Sequence, residues 1–297
     1  MGMSSRRQRL TAKSVWRRLP LTWIGIAPFA IFVTLFLFLP TMKIVVGAFQ
    51  TPDGSFTLAN IIGLNTPSIL ASYWISIKIS VASALIGCAV GFAMAAAIVI
   101  GGLPGFVRGP LLTFSGVASN FAGVPLAFAF LATLGPVGLV TVFLRTNLGI
   151  DLRLLGFNLL SFWGLTITYL FFQIPLMILI ITPALDGLKR EWREAAANLG
   201  ATTAQYWRLV ALPVLFPSLL GAFALLFANA FGAVATAIAL TGSSLSIAPI
   251  LLFAQIRGDV LGDPHLGYAL AFGMIVITGI ANTIYIWLRS RSERWLN

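Results

Sequence analysis

Acidic residues are scarce. The chain of 297 residues holds 8 Asp and Glu against 19 Lys and Arg, and charged residues make up only 9% of it. A soluble domain carries about 25%. With 59% hydrophobic residues and a mean hydropathy of +0.96, so little charge excludes an ordinary soluble fold and indicates an integral membrane protein. One cysteine, Cys88, lies in an apolar run, so an intrachain disulfide is excluded and no redox role is indicated. His265 is the one histidine, and neither residue has the companions a metal site needs. The phosphate-cradling pattern G-x-x-x-x-G-K-[ST] occurs nowhere, so the chain is not expected to bind ATP itself or to be an enzyme. A net charge of +11 is of a size met in nucleic-acid binders. The basic residues, however, collect in short segments between apolar runs rather than on one solvated face, and membrane topology explains that better.

Six apolar runs reach the ~20 residues a helix needs to cross a bilayer. They cover residues 23–49, 75–100, 110–134, 159–185, 213–240 and 266–288, and none contains Asp or Glu. The expected fold is therefore all-α, with six transmembrane helices. The first run is too long for a signal-peptide core and lacks a small-residue cleavage site, so it reads as an uncleaved span with Pro28 and Pro40 as tolerated kinks. Residues 50–72, with Thr51-Pro52-Asp53-Gly54, read as an external loop. Gly87-x-x-x-Gly91 in the second run would let another helix approach closely. Gly101–Gly105 makes a tight loop with Arg108 beyond it, and 135–157 is an external connection with room for a short helix. Thr241–Ser244 breaks the chain after the fifth run. The apolar segment 245–256 is too short to cross and reads as an external helix lying on the membrane or dipping into it.

Counting basic residues fixes the sidedness. Segments 1–20, 101–109, 186–212 and 289–297 hold fourteen; 50–72, 135–157 and 241–265 hold three. Such a bias puts both termini in the cytoplasm. Trp23, Trp74, Trp163 and Trp287 fall near span boundaries, as an interfacial aromatic belt would.

The one long polar, helix-forming passage inside this apolar chain is Leu188–Pro213, LKREWREAAANLGATTAQYWRLVALP. A first helix carries Glu191, Glu194, Ala195, Ala196 and Ala197 and stops at Asn198-Leu199-Gly200, where glycine suits the left-handed C-terminal position. A second opens with Thr202, and Gln205 three residues on completes a capping box. It is expected to run to Leu212, where Pro213 introduces the fifth span. Leu188, Trp192, Ala195 and Leu199 form one apolar stripe. A hairpin of this kind sits on the membrane face and docks against something.

Glu194-Ala195-Ala196, three residues, Gly200, nine residues, then Val210-Ala211-Leu212-Pro213 resembles the E-A-A-x3-G-x9-[IV]-x-L-P signature of permease subunits in binding-protein-dependent ABC importers, and each defined position matches. The broad look is similar to permeases for spermidine and putrescine, thiamine, ferric iron, sulfate or phosphonates. The resemblance implies a five-helix permease core over 70–290 containing a coupling loop at 186–213. The first span, 21–49, resembles a variable addition, flanked by a basic cytoplasmic leader (1–20), with a basic tail (289–297) at the far end. It implies location in a bacterial inner membrane. It also implies assembly with an ATP-binding cassette ATPase dimer, a second permease chain expected to be a paralogue, and an external solute-binding protein, with ATP and Mg held by the ATPase subunits. Carried over, Glu194 would contact the ATPase, Ala195 and Ala196 would allow close helix packing, and Gly200 would make the turn. Leu212 and Pro213 would join the loop rigidly to the fifth span. Arg190, Arg193 and Arg208 read as membrane-surface charges.

Polar residues inside the runs are candidates for a translocation path: Lys78, Ser119, Asn120, Gln173 and Asn229, with Ser115 and Thr236 beside them. Each could equally make a helix–helix hydrogen bond. The lack of carboxylates weighs against a strongly cationic solute and favours an organic or anionic one. Two rival readings remain. An ion-driven secondary transporter would be expected to show intramembrane carboxylates and internal repeats. A six-span channel would have no need of the Glu194–Pro213 pattern.

Overall fold

The computed structural model describes residues 19–242, 244–257 and 263–293. The basic leader, most of the 257–265 loop and the last four residues lie outside them, as do the side chains of 19–24, 257, 289 and 291–293, Trp23 included. The described residues are helical apart from turns and one isolated bridge, Gln50 with Phe56. Among the described residues, six helical segments are long and apolar enough to cross a membrane.

The first segment joins α1 (Leu19–Val33) to α2 (Leu39–Gly47) through a π turn at Thr34–Phe38. A second π turn, Trp207–Ala211, joins α10 (Thr203–Tyr206) to α11 (Leu212–Phe231). Each π turn ends two residues before a proline, Pro40 or Pro213. Proline cannot donate to the carbonyl four residues back, and a locally widened turn absorbs the mismatch without breaking the helix. The Leu39 and Leu212 N–H groups accordingly reach back to Thr34 and Trp207. The second hairpin helix therefore does not stop at Leu212 as expected. It is continuous with the fifth span over Thr203–Phe231.

The centre of the molecule is α4 (Pro67–Ile100) against α8 (Phe162–Asp186), with α11 across both and α14 (Pro264–Glu293) outside α11. Helix α4 starts eight residues before the expected span, leaving a shorter loop that contains α3 (Ala59–Gly63). One face of α4 is small throughout: Ser72, Ser76, Ser80, Ser83, Gly87 and Gly91 are all buried. The serine hydroxyls donate to carbonyls three or four residues back, so they are satisfied within their own helix. The G-x-x-x-G pair is where α8 seats on this face. A methyl placed on Gly91 would lie 2.6 Å from Met177 Cβ, and one on Gly87 3.0 Å from Gln173 Cβ. The first span stands apart, touching the rest near its end where Gly47 meets Tyr268 and Phe49 meets Phe272 edge-on.

Two expected spans are broken. The third, expected over 110–134, divides into α5 (Gly105–Asn120) and α6 (Val124–Leu134), and the segment long enough to cross is instead Val124–Asn147, which takes in α7 (Leu139–Asn147) from the stretch expected as an external connection. Gly123 takes φ +76° between α5 and α6, and Pro125 cannot extend the α5 ladder. The fifth ends at Gly232-Ala233, after which α12 (Val234–Thr241) runs separately and packs on α6. A break at membrane depth frees backbone groups that need partners. The Thr236 hydroxyl accepts from Gly123 N–H at 2.7 Å, and the Tyr169 hydroxyl donates to the Ala233 carbonyl at 2.9 Å. Segment 245–256 forms α13 (Ala248–Arg257), anchored into the bundle. Ser72 Oγ and Ser246 Oγ lie 2.8 Å apart, and Ala248 N–H donates to Ser76 Oγ at 2.9 Å.

Two outcomes are expected. Gly91→Val, forced into Met177, should destabilise by about 1–3 kcal/mol. A thermal-unfolding midpoint in detergent checks this, with Gly116→Ala, which meets open space within α5, as the control that should not lower it. Thr236→Val orphans the Gly123 N–H and should cost about 1–3 kcal/mol, whereas Thr236→Ser stays near wild type in the same assay.

Candidate functional site

The hairpin follows α8 directly. Helix α9 (Arg190–Asn198) ends at Leu199, and Gly200 takes φ +78°, the left-handed conformation that reverses the chain at little cost for glycine. Both halves of the capping box form: Gln205 N–H donates to Thr202 Oγ1 at 3.3 Å, and Thr202 N–H donates to Gln205 Oε1 at 2.7 Å. Local signals alone therefore account for the shape of the loop.

The stripe along α9 is not buried along its length. Leu188 and Trp192 turn inward, while Ala195 is exposed and Leu199 is 88% exposed. Leu209, on the following helix, is 70% exposed. A hairpin presenting these apolar groups has an unfilled contact surface. Glu194 lies beside them, paired with Arg190 at 2.8 Å across one helical turn, both largely exposed. Such a pair contributes only about 0.3–0.5 kcal/mol, so the carboxylate can be recruited elsewhere at little cost. Ala196 is half-buried, Leu212 is partly exposed, and Pro213 sits in the first turn of α11 just beyond the π turn.

An anchor that the sequence did not reveal holds the root of this hairpin. One guanidinium nitrogen of Arg108, in the first turns of α5, donates to both carboxylate oxygens of Asp186 at 2.8 Å. Asp186 is the last residue of α8, so the pair ties α5 to the point where the chain leaves the bundle. Sequence reading treated Arg108 only as a topology charge. The clue available was that Asp186 is an acidic residue at the end of a long apolar run.

The path candidates divide. Ser119, Asn120 and Asn229 line one cavity of about 490 Å³ together with Thr236, Gly123 and Phe172. It opens where the two helix breaks meet, at 121–123 and 232–233. Asn120 Nδ2 donates to the Gly116 carbonyl at 2.9 Å, and Ser119 Oγ to the same carbonyl at 3.0 Å. Among the described residues, no carboxylate lines this cavity. Gln173 is elsewhere, fully buried between three helices, with Nε2 donating to Ser83 Oγ at 3.2 Å and to the Leu226 carbonyl at 3.1 Å. Lys78 is exposed on α4 with its ammonium 5.3 Å from the Trp74 ring. Ser115 is buried and bonds back to Leu111.

No protein-family model matches the chain. Curated relatives do. The sulfate transport system permease protein CysT of Synechococcus elongatus is 26% identical over 280 residues, 92% of this chain and 91% of that protein. CysT of Salmonella typhimurium is 25% identical over 256 residues, 84% of this chain and 86% of its own length. The spermidine/putrescine transport system permease protein PotC of Haemophilus influenzae is 29% identical over 119 residues, 40% of this chain and 45% of that one. Among solved structures, a bacterial ABC transporter involved in the import of the acidic polysaccharide alginate superposes with a TM-score of 0.69 at 17% identity, over 94% of this chain and 98% of that chain. The MetNI methionine ABC transporter, in inward-facing conformations, gives 0.55 at 13% identity, over 75% of this chain and 95% of that chain. The chain is similar in sequence to these transport-system permease proteins, and it shares its fold with chains of these two ABC transporters.

Proposed function

We propose that this chain is the permease subunit of an ATP-driven importer, forming with a second permease chain the path for a small solute delivered by an external binding protein. The hairpin couples it to cytoplasmic ATPase subunits, which bind ATP and Mg. The observation that carries this reading is the surface of the hairpin: the E-A-A-x3-G residues stand on an exposed turn with Leu199 open to solvent. Glu194 offers a carboxylate held only by a surface pair, Ala195 and Ala196 keep the surface flat, and Gly200 sets the reversal. Leu212 and Pro213 lie on an unbroken helix, Thr203–Phe231, so displacement of the second hairpin helix passes along that helix as a near-rigid body.

The basic-residue bias supports placing the hairpin and both termini in the cytoplasm, with the chain in a bacterial inner membrane. On that topology the cavity at the helix breaks is the path segment this chain contributes. Its lining, apolar apart from the amides of Asn120 and Asn229 and the hydroxyls of Ser119 and Thr236 and without a carboxylate among the described residues, favours an organic or anionic small solute.

Purification of the tagged chain in mild detergent should bring down a stoichiometric ATPase carrying the phosphate-cradling pattern, together with a second permease chain. If the chain comes down alone and vesicles containing it move solute on an ion gradient without ATP, the importer reading fails. Glu194→Arg reverses the charge offered to the partner. Gly200→Val places a β-branched residue at φ +78°, where no neighbour crowds the site and the penalty is conformational. Both variants should insert normally, lose ATP-driven uptake and retain less ATPase on pull-down. Gly200→Asn, which tolerates that conformation, should keep most of the uptake. Normal uptake by Glu194→Arg and Gly200→Val would remove the hairpin from the coupling step.

A further inference from the structure

A cavity of about 580 Å³ lies between the hairpin and the ends of α4 and α8. Its walls are apolar and belong to the spans: Val99 and Ile100 from the last turn of α4, Leu185 from α8, and Trp207 from the start of the long fifth helix. Its rim is basic and belongs to the hairpin: Lys189, Arg190 and Arg193. The carboxylate that also lines it, Asp186, is already held by both its oxygens on Arg108. Among the described residues Arg193 makes no ion pair. Lys189 has only the face of Trp192, 5.8 Å away, and Arg190 spends one N–H on Glu194. The rim therefore carries an uncompensated positive charge beside an apolar slot.

This arrangement matches one chemistry. Apolar walls formed by the last turns of membrane-crossing helices lie at the depth of acyl chains, and a cationic rim at the helix ends lies at the depth of headgroups. Cations at that boundary attract anionic lipid by about 1 kcal/mol each. We propose that the cavity holds an anionic phospholipid, its phosphate among Lys189, Arg190 and Arg193 and its upper acyl chain against Val99, Ile100 and Trp207. Such a lipid fills the gap under the hairpin and sets how the hairpin sits on the bundle. The leaflet follows from the topology proposed above. The site itself depends on neither the ATPase nor the solute.

Trp207 reports on the cavity directly. The full chain is placed in phosphatidylcholine nanodiscs containing a fixed fraction of lipid brominated near the headgroup end of the acyl chain. Brominated phosphatidylglycerol should quench tryptophan emission more strongly than brominated phosphatidylcholine at the same fraction, and Trp207→Phe should reduce the difference, the remainder coming from the other seven tryptophans. Combined Lys189→Gln and Arg193→Gln should lower the preference for phosphatidylglycerol by roughly ten- to thirtyfold. Excess inorganic phosphate should leave the quenching unchanged. Equal quenching by the two lipids would leave the cavity to a protein segment and overturn the proposal, as would a difference that Trp207→Phe leaves unchanged. Loss of quenching in inorganic phosphate would make the site one for free anion and overturn it too. A double variant with a lowered unfolding midpoint would report misfolding, and the Trp207→Phe comparison then decides. Because no ATP or partner is present, the result stands apart from the importer reading.

Discussion

Close approach of helices along the small face of α4 is the constraint on which the remainder depends. In a bilayer, apolar side chains gain little by leaving lipid for protein, so association relies on shape and on hydrogen bonds between helices. Ser72 to Gly91 supplies the shape by presenting almost no side-chain volume. Met177 of α8 seats directly on Gly91, and Gln173 crosses at Gly87, where its amide bonds to α4 and α11 together. With α4, α8 and α11 locked at this crossing, their ends are fixed. The hairpin hangs from the ends of α8 and α11, so its position is inherited from that contact.

A second constraint is the need to satisfy every backbone group at membrane depth. The breaks at 121–123 and 232–233 would be costly alone. They are tolerated because they face each other and because Thr236 and Tyr169 supply the missing partners. The same interruption creates the cavity. Two unbroken helices packed side by side would leave no room there, whereas chain reversals held apart by one hydroxyl open a pocket lined by Ser119, Asn120 and Asn229. Three of the residues proposed for a path, Ser119, Asn120 and Asn229, thus meet at a place created by backbone geometry, while Lys78 and Gln173 lie elsewhere.

The hairpin differs from both, being built from local chemistry and left unfinished on one side. Its caps and turn are satisfied within Lys189–Trp207, while Ala195 and Leu199 have nothing to cover them. The bundle stabilises the root through Arg108 and Asp186 and leaves the tip free. That division suits the coupling role proposed for the hairpin, since a tip buried in its own chain could not also be gripped from outside.

What the sequence determined by itself is what short-range physics determines. Runs of apolar residues set the number of spans, Thr202 with Gln205 and Gly200 shaped the hairpin, and Gly87-x-x-x-Gly91 marked the close contact. Each of these is decided within a few residues of its own position. Tertiary structure decided what joins distant positions: Arg108 with Asp186, 78 residues apart, Tyr169 with Ala233, 64 apart, and Gly123 with Thr236, 113 apart. Hydropathy averaged over a span cannot see a break at Gly123 or Gly232, because both flanks remain apolar. Nor can a proline alone reveal whether its helix stops or widens into a π turn and continues, as it does before Pro213. That outcome depends on neighbours that hold the two halves in line, and only the folded chain supplies them.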